Sequence, residues 1–422
     1  MRWHSLSLVE EKPITPNKLS NNKSNSNLIQ PIRTRFVIYE NSSMNFPTIY
    51  EDIMNRIESI NPTEYAKTRN HINGAVTHLS PYISRGVIST KQILEIILDK
   101  GYTSGQVQKF IQELAWREYF QRVWQHLEDD IFDDIRHRYT GIQHRNMPTA
   151  IAEANTGIHA IDEAIQQLYA TGYMHNHLRM YTASITCNIG KSNWQLPSQW
   201  MYYYLLDGDL ASNTCSWQWI TGNFSSKQYF CNQQNINKFT GSTQQQTFLD
   251  KNYDALPGMN VPEILKETSS LNLQTVLPVK VNPLVDTSLP LVIYTSYNLD
   301  PLWKKDIKAN RILLLEPSHF KQYPVSEKVI NFILDLAKNI NDLQVFTGEL
   351  NEIPEIRSFP VIYSKEHPLT KHFPGIKEER DWMFPEIKGF HHSFFSYLTK
   401  CQQKNYTDEK NNYELAVAKV AF

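Results

Sequence analysis

The segment LLDGDLASNTCSWQW, residues 205–219, brings two carboxylates, an amide and two tryptophans into a short stretch. Asp207 and Asp209 flank Gly208, a pattern suited to a tight turn that opens a helix. From there on, Asp209 and Asn213 share a helical face, as do Asn213 and Trp217, whereas Trp217 and Trp219 point to different sides. An aspartate that caps a helix is commonplace, and taken alone Asp209 reads that way. Acid, amide and indole gathered around one turn are also what a flat ligand with a polar edge requires.

Three upstream segments carry comparable mixtures. In TGYMHNHLRMYTASITCNIG, residues 171–190, helical spacing puts Asn176, Arg179 and Met180 on one face. An arginine among apolar positions needs an acidic partner to offset its desolvation, and Asp207 is the natural candidate. His175 and His177 read at least as well as satisfied structural histidines as they do as catalytic groups. In FIQELAWREYF, residues 110–120, Glu113, Trp116, Arg117 and Phe120 fall on one face. Glu113 and Arg117 make an i,i+4 ion pair worth only about 0.3–0.5 kcal/mol if exposed, or else a carboxylate and a tryptophan are presented together to a ligand. In YAKTRNHINGAVTHLSPYISRG, residues 65–86, Tyr65, Thr77 and Ser80 surround a glycine and precede a helix. Such donors suit a phosphate; a plain interhelical loop is the simpler reading.

The elements that must hold these residues are helical. FPTIYEDIMNRIESI has apolar residues at helical spacing and breaks at Asn61-Pro62. Ser89 is a candidate N-cap for KQILEIILDK, with Gly101 as its stop. Helical patterns continue to about residue 220, punctuated by Gly172, Gly190 and Gly208. The expected organisation is a flexible arm at 1–45, rich in Asn, Ser and Lys, an all-α domain at 46–255, a proline-bearing linker at 256–290, a small α/β domain at 291–402 and a polar tail at 403–422. The α/β expectation rests on LVIYTS, RILLLEP, LQVFTG and FPVIYS, short apolar runs with the helical pattern SEKVINFILDLAKNI among them.

Composition narrows the classes. The net charge of −1 argues against a generic nucleic-acid coat, though a local patch still permits DNA binding. Cys187, Cys215, Cys231 and Cys401 are far apart, without CxxC, and read as reduced thiols with no metal site. No apolar run is long enough to span a bilayer and the N-terminus lacks a signal-peptide core, so a cytoplasmic monomer with no membrane contact is expected.

Together SPYISRG, ELAWREYF, TGYMHNHLRM and DGDLASNTCSWQW resemble, in order and spacing, the FAD domain of the DNA photolyase/cryptochrome family, and class I cyclobutane pyrimidine dimer photolyases within it. The resemblance covers about residues 46–255 and implies a helical bundle that holds FAD. It implies Tyr65, Thr77, Leu79 and Ser80 along the phosphates and ribityl chain, with Phe110 in the same cofactor set. Glu113, Arg117 and Asn176 would sit near the adenine and the pocket mouth. Arg179 paired with Asp207 would lie beside the isoalloxazine, Asp209 at its pyrimidine edge and Asn213 at N5. Trp116, Trp219 and Met180 would receive a flipped pyrimidine dimer, with Glu113 and Asn176 on its edges. The implied activity is blue-light-driven repair of dimers in DNA by electron transfer from reduced flavin.

Departures from the family pattern open alternatives. Trp217 and Trp194 match the two inner members of an electron-transfer chain; the outermost has no match, and Tyr139, Trp200 or the tyrosines at 202–204 are its candidates. The stretch after WQW is poor in arginine, and His177 stands where many dimer photolyases have arginine. A cryptochrome-like light sensor is therefore the second reading and a flavin-binding relic the third. The pair His175 and His177 leaves (6-4) photoproducts open as a lesion. The segment at 291–402 has the look of a permuted or partial antenna domain, which leaves a second chromophore undecided.

Overall fold

A computed structural model of the protein describes residues 45–138 and 141–405. The expectations for the N-terminal arm and for Tyr139 lie outside these residues, as does most of the expected tail. The described residues form one compact unit by their internal contacts.

Helices fill the first half. α1 (Tyr50–Glu58) buries Ile53 and Ile57, one turn apart. Asn61 then caps α2 (Pro62–Thr68), accepting from the amides of Thr63 and Glu64, so Asn61-Pro62 ends one helix and starts the next. After α3 (Ser80–Ser84), Ser89 and Gln92 form a reciprocal capping box on α4 (Thr90–Asp99). α5 (Ser104–Leu127) is the longest helix among the described residues. It has no purely polar side: Glu118, Gln121 and Arg122 are as buried as Trp124. The stretch from Glu118 to Trp124 is covered all round and so lies at the centre of a packed unit.

Beyond α5 the chain runs through strand β1 (Met147–Pro148), α6 (Thr149–Ala152), α7 (His159–Thr171) and α8 (Asn176–Ala183). α8 continues into a π-helical turn, Ser184–Ile189, whose residues are all buried. α9 (Gln195–Tyr204), α10 (Leu210–Thr221) and α11 (Gln233–Thr240) follow. α10 packs against both α5 and α8. The coil beyond α11 includes β2 (Thr268–Ser269), which pairs with β1.

The C-terminal part is a parallel sheet of β3 (Leu291–Tyr294), β4 (Asn310–Leu315), β5 (Leu343–Thr347), β6 (Ile362–Lys365) and β7 (Ile376–Glu378), in spatial order β5-β4-β3-β6-β7. β3 and β4 are buried along their whole length, the pattern of strands covered on both faces. α12 (Pro317–Gln322) and α13 (Glu327–Ala337) connect β4 to β5, and α14 (Phe394–Asn405) ends the described chain.

The sheet is joined closely to the helices. Gly86, last residue of the SPYISRG motif, has φ +62°, and a Cβ there would meet the carbonyl oxygen of Tyr297 at 2.3 Å. Only glycine tolerates both the backbone conformation and that approach. Beside it, the Leu299 amide donates to the Arg85 carbonyl at 2.9 Å, and the hydroxyls of Tyr202 and Tyr297 lie 2.8 Å apart.

Candidate functional site

The turn between α9 and α10 is the centre of the site. Asp207 is 7% exposed, and both its oxygens accept from Arg179 Nη2, at 3.0 and 2.9 Å. Arg179 Nε donates to the Met174 carbonyl at 2.7 Å, which holds the guanidinium in one orientation. The arginine on α8 thus finds the acid that sequence spacing suggested.

Asp209 is 2% exposed and does two jobs. As N-cap of α10 it accepts from the Ser212 amide at 2.7 Å. It also faces α5, where Arg117 Nη2 lies 3.3 Å away and Gln121 Nε2 donates to both oxygens. Arg117 further donates to Ser84 Oγ and the Ile83 carbonyl. Its partner is therefore Asp209 and not Glu113 one turn earlier. Asn213 donates to the Ser198 carbonyl on α9 at 2.9 Å.

The outer ring is less closely knit. Glu113 pairs with Lys109 at 3.0 Å and Arg69 at 3.4 Å. Tyr65 meets Phe110 edge-on, with ring centres 5.3 Å apart. Thr77 accepts from the Leu79 amide; Thr77 and Ser80 are half-buried, while the Leu79 side chain is in the core. Asn176 is exposed, with its amide 4.0 Å from Met180 Sδ. Trp219 is half-buried and adjoins Tyr229. Trp116 stacks nearly parallel on Phe394 of α14, with centroids 3.7 Å apart.

Trp217 and Trp194 are buried in one apolar cluster that also holds Trp200. Trp200 Nε1 donates to the Tyr169 hydroxyl at 3.0 Å; the Tyr169 ring is 4.6 Å from Tyr204, itself 4.9 Å from Tyr203. Tyr202 turns away to Tyr297. Trp200, Tyr203 and Tyr204 therefore form one aromatic string, and Tyr202 does not belong to it.

Both histidines are pinned. His175 Nδ1 accepts from the His177 amide, so Nε2 carries the proton and donates to the Arg69 carbonyl at 3.0 Å. His177 Nδ1 bonds the Asn70 carbonyl at 2.9 Å. Burial, and secondarily His177, push the His175 pKa down to about 4; burial also lowers that of His177. Both tie α8 to the end of α2 through the Arg69 and Asn70 carbonyls.

The donor set fits FAD. Asp207 and Asp209 are buried, while their partners Arg179 and Arg117, and Asn213 one turn into α10, remain half-buried and hence reachable. Two buried side-chain atoms next to the cofactor residues have no hydrogen-bond partner among the described residues: Ser212 Oγ, beside Asn213, and His78 Nδ1, beside Thr77. Buried polar atoms are seldom left unpaired, and a polar ligand at this face would supply acceptors and donors for both. Sequence reasoning missed Gln121, one turn beyond Arg117 on the same face of α5, which that spacing could have flagged. It also missed Arg380 and Phe394, for which the sequence carries no local signal.

The family model described as the FAD binding domain of DNA photolyase matches residues 110–271. Over that stretch the chain is similar to the DNA photolyase family. It is 32% identical over 146 residues to a deoxyribodipyrimidine photo-lyase of Alkalihalophilus pseudofirmus, covering 34% of this chain and 30% of that one. It is 30% identical over 149 residues to the deoxyribodipyrimidine photo-lyase of Streptomyces griseus, covering 35% and 32%. The chain spans about a third of the length of these curated relatives. Among solved structures, a Synechocystis cryptochrome aligns at 21% identity and a TM-score of 0.41, over 46% of this chain and 44% of that one.

Proposed function

We propose that this chain is a FAD-dependent lyase that uses blue light to split cyclobutane pyrimidine dimers in DNA, in the manner of class I photolyases, as a cytoplasmic monomer. The observation that carries the reading is the pair of buried acids, Asp207 and Asp209, each with a reachable arginine, inside a stretch that matches a photolyase FAD-binding domain. Bound FAD would supply the light-excited electron donor. Arg179, Asp207, Asp209 and Asn213 are the residues to hold its ring system; Tyr65, Thr77, Ser80, Phe110 and the Leu79 backbone are those for its chain.

The remaining residues suit a base taken out of the duplex. Trp116, Trp219 and Met180 offer apolar, partly buried surface, and Glu113 and Asn176 offer hydrogen bonds to base edges. Arg69 and Lys109 beside Glu113 add positive charge on this side, which favours a phosphate backbone. The test is blue-light treatment, with thiol, of the purified protein and an oligothymidine carrying dimers. Recovery of thymine absorbance is expected; bound, photoreducible flavin without recovery overturns the repair reading.

A light sensor without repair activity is the second reading. Two contacts favour it: Phe394 covers one face of Trp116, and Lys109 and Arg69 already engage Glu113. Light-dependent change in proteolysis, without affinity for damaged DNA, would support it.

A further inference from the structure

Both oxygens of Asp209 accept from Gln121 Nε2, at 2.9 and 2.7 Å. The two ends of a primary amide differ, since the nitrogen only donates and the oxygen only accepts. The Asp209 carboxylate only accepts, so it takes the amide nitrogen of Gln121 and leaves the oxygen facing away. Arg380, two residues beyond β7, holds that oxygen: its Nη1 donates to Gln121 Oε1 at 2.6 Å. A guanidinium offers donors and no acceptor, so the amide must turn its oxygen to Arg380 and its nitrogen to Asp209.

Arg380 is itself firmly held. Nε and Nη2 reach the Glu366 carboxylate, just past β6, at 3.0 and 3.4 Å. The guanidinium lies over the Trp382 ring, 4.4 Å from its centroid. Glu366, Arg380, Gln121 and Asp209 thus form a continuous chain from the parallel sheet to the N-cap of α10. Arg117 completes the polar cover of Asp209 from the other side, at 3.3 Å.

We infer that Arg380 is a positioning residue for the flavin: acting through Gln121, it fixes the orientation and the charge balance of Asp209, so that the C-terminal sheet completes the cofactor site of the helical part. This rests on the proposed placement of Asp209 at the flavin's pyrimidine edge. It makes the sheet part of the cofactor's polar surroundings as well as a neighbour of the helices.

The test is a double-mutant cycle on the full chain with Gln121→Met, Arg380→Met and the double variant. FAD affinity is read from the quenching of FAD fluorescence on titration into flavin-free protein. Each single variant should weaken binding about tenfold, the scale of one hydrogen bond to a charged group. In the Gln121→Met background the Arg380 substitution should add less than about twofold, because its route to Asp209 is already cut. The reduction potential of bound flavin should fall in both single variants, since Asp209 is then less neutralised beside the ring. A merely structural role for Arg380 would give additive losses and an unmoved potential, and either result overturns the inference. Should Arg380→Met fail to fold, Arg380→Lys keeps a positive charge beside Glu366 without the planar fork; it runs through the same cycle and should show the same non-additive loss of FAD affinity with a smaller fall in potential. Wild-type protein that takes up no FAD would instead remove the flavin reading beneath the inference.

Discussion

Two clusters of buried charge lie along α5, and they differ in one respect. Towards α8 and α10, Asp207 and Asp209 are covered, yet the side chains of their partners Arg179 and Arg117 keep 20% and 22% of their surface exposed. Towards the C-terminal part, Glu118 and Arg122 are 3% and 2% exposed. Glu118 accepts from Thr90 Oγ1, the Met383 and Phe384 amides and the Tyr397 hydroxyl, and is closed on itself. Burial raises its pKa, and the surrounding donors oppose that shift. Buried charge therefore does not by itself mark a ligand site. What separates the two clusters is a cation that still faces open space in the first and none that does in the second.

The largest effect should come from breaking the first cluster. Arg179→Met leaves Asp207 buried without its cation, at a cost of about 3–5 kcal/mol, and should also abolish flavin retention. Urea unfolding and the flavin-to-protein absorbance ratio check both; stable protein with full flavin content would erase the distinction drawn here. Glu118→Gln tests the second cluster. Exchanging a carboxylate oxygen for an amide donor amid four donors should cost about 1–3 kcal/mol while leaving flavin content intact. Lost flavin with unchanged stability would reverse the roles of the two clusters.

Acidification probes the wall of the first cluster. His175 is held near 4 in the fold, against about 6.5 in the unfolded chain. The unfolded state takes up that proton first, so stability is intact above about pH 6.5. It is then lost as pH falls towards 4, at up to about 1.4 kcal/mol per pH unit. Urea midpoints between pH 7 and 4.5 should show at least this slope, since burial also lowers the pKa of His78, His177, His319, His367 and His391, and His175→Gln should remove the share of His175 alone. The smallest effect is expected from Phe394→Leu, about 1 kcal/mol for a near-volume-conserving change. It removes the ring stacked on Trp116; a rise in dimer repair would show that this face of Trp116 receives the lesion, and unchanged repair would place the lesion elsewhere.

The helical half was largely legible because its signals are local. The Ser89 cap, the Asp209 cap and the Arg179–Asp207 pairing follow from spacing and from the need of a buried charge for a partner. The strands were legible as apolar runs between turns. Their meeting with the helices was not. Gln121 reads as one more polar helix residue until Arg380 is placed beside it, and Phe394 has no spacing relation to Trp116. Such contacts depend on where the chain returns, which periodicity does not encode. Glu113 shows the same limit: Arg117 was the partner within reach along α5, but Arg69 on a neighbouring segment and Lys109 one turn back engage it instead.

The reach of Glu118 also bears on how the chain is made. Its partner amide at Met383 lies 265 residues downstream. At a synthesis rate of about 5–20 residues per second, the buried side of α5 must wait roughly 10–50 s for the segment that covers it. Throughout that interval the nascent helices present Trp116, Tyr119, Trp124 and an uncompensated carboxylate to the surroundings. The fold that shields them so fully once complete leaves them open to non-native contacts until the last segment has emerged.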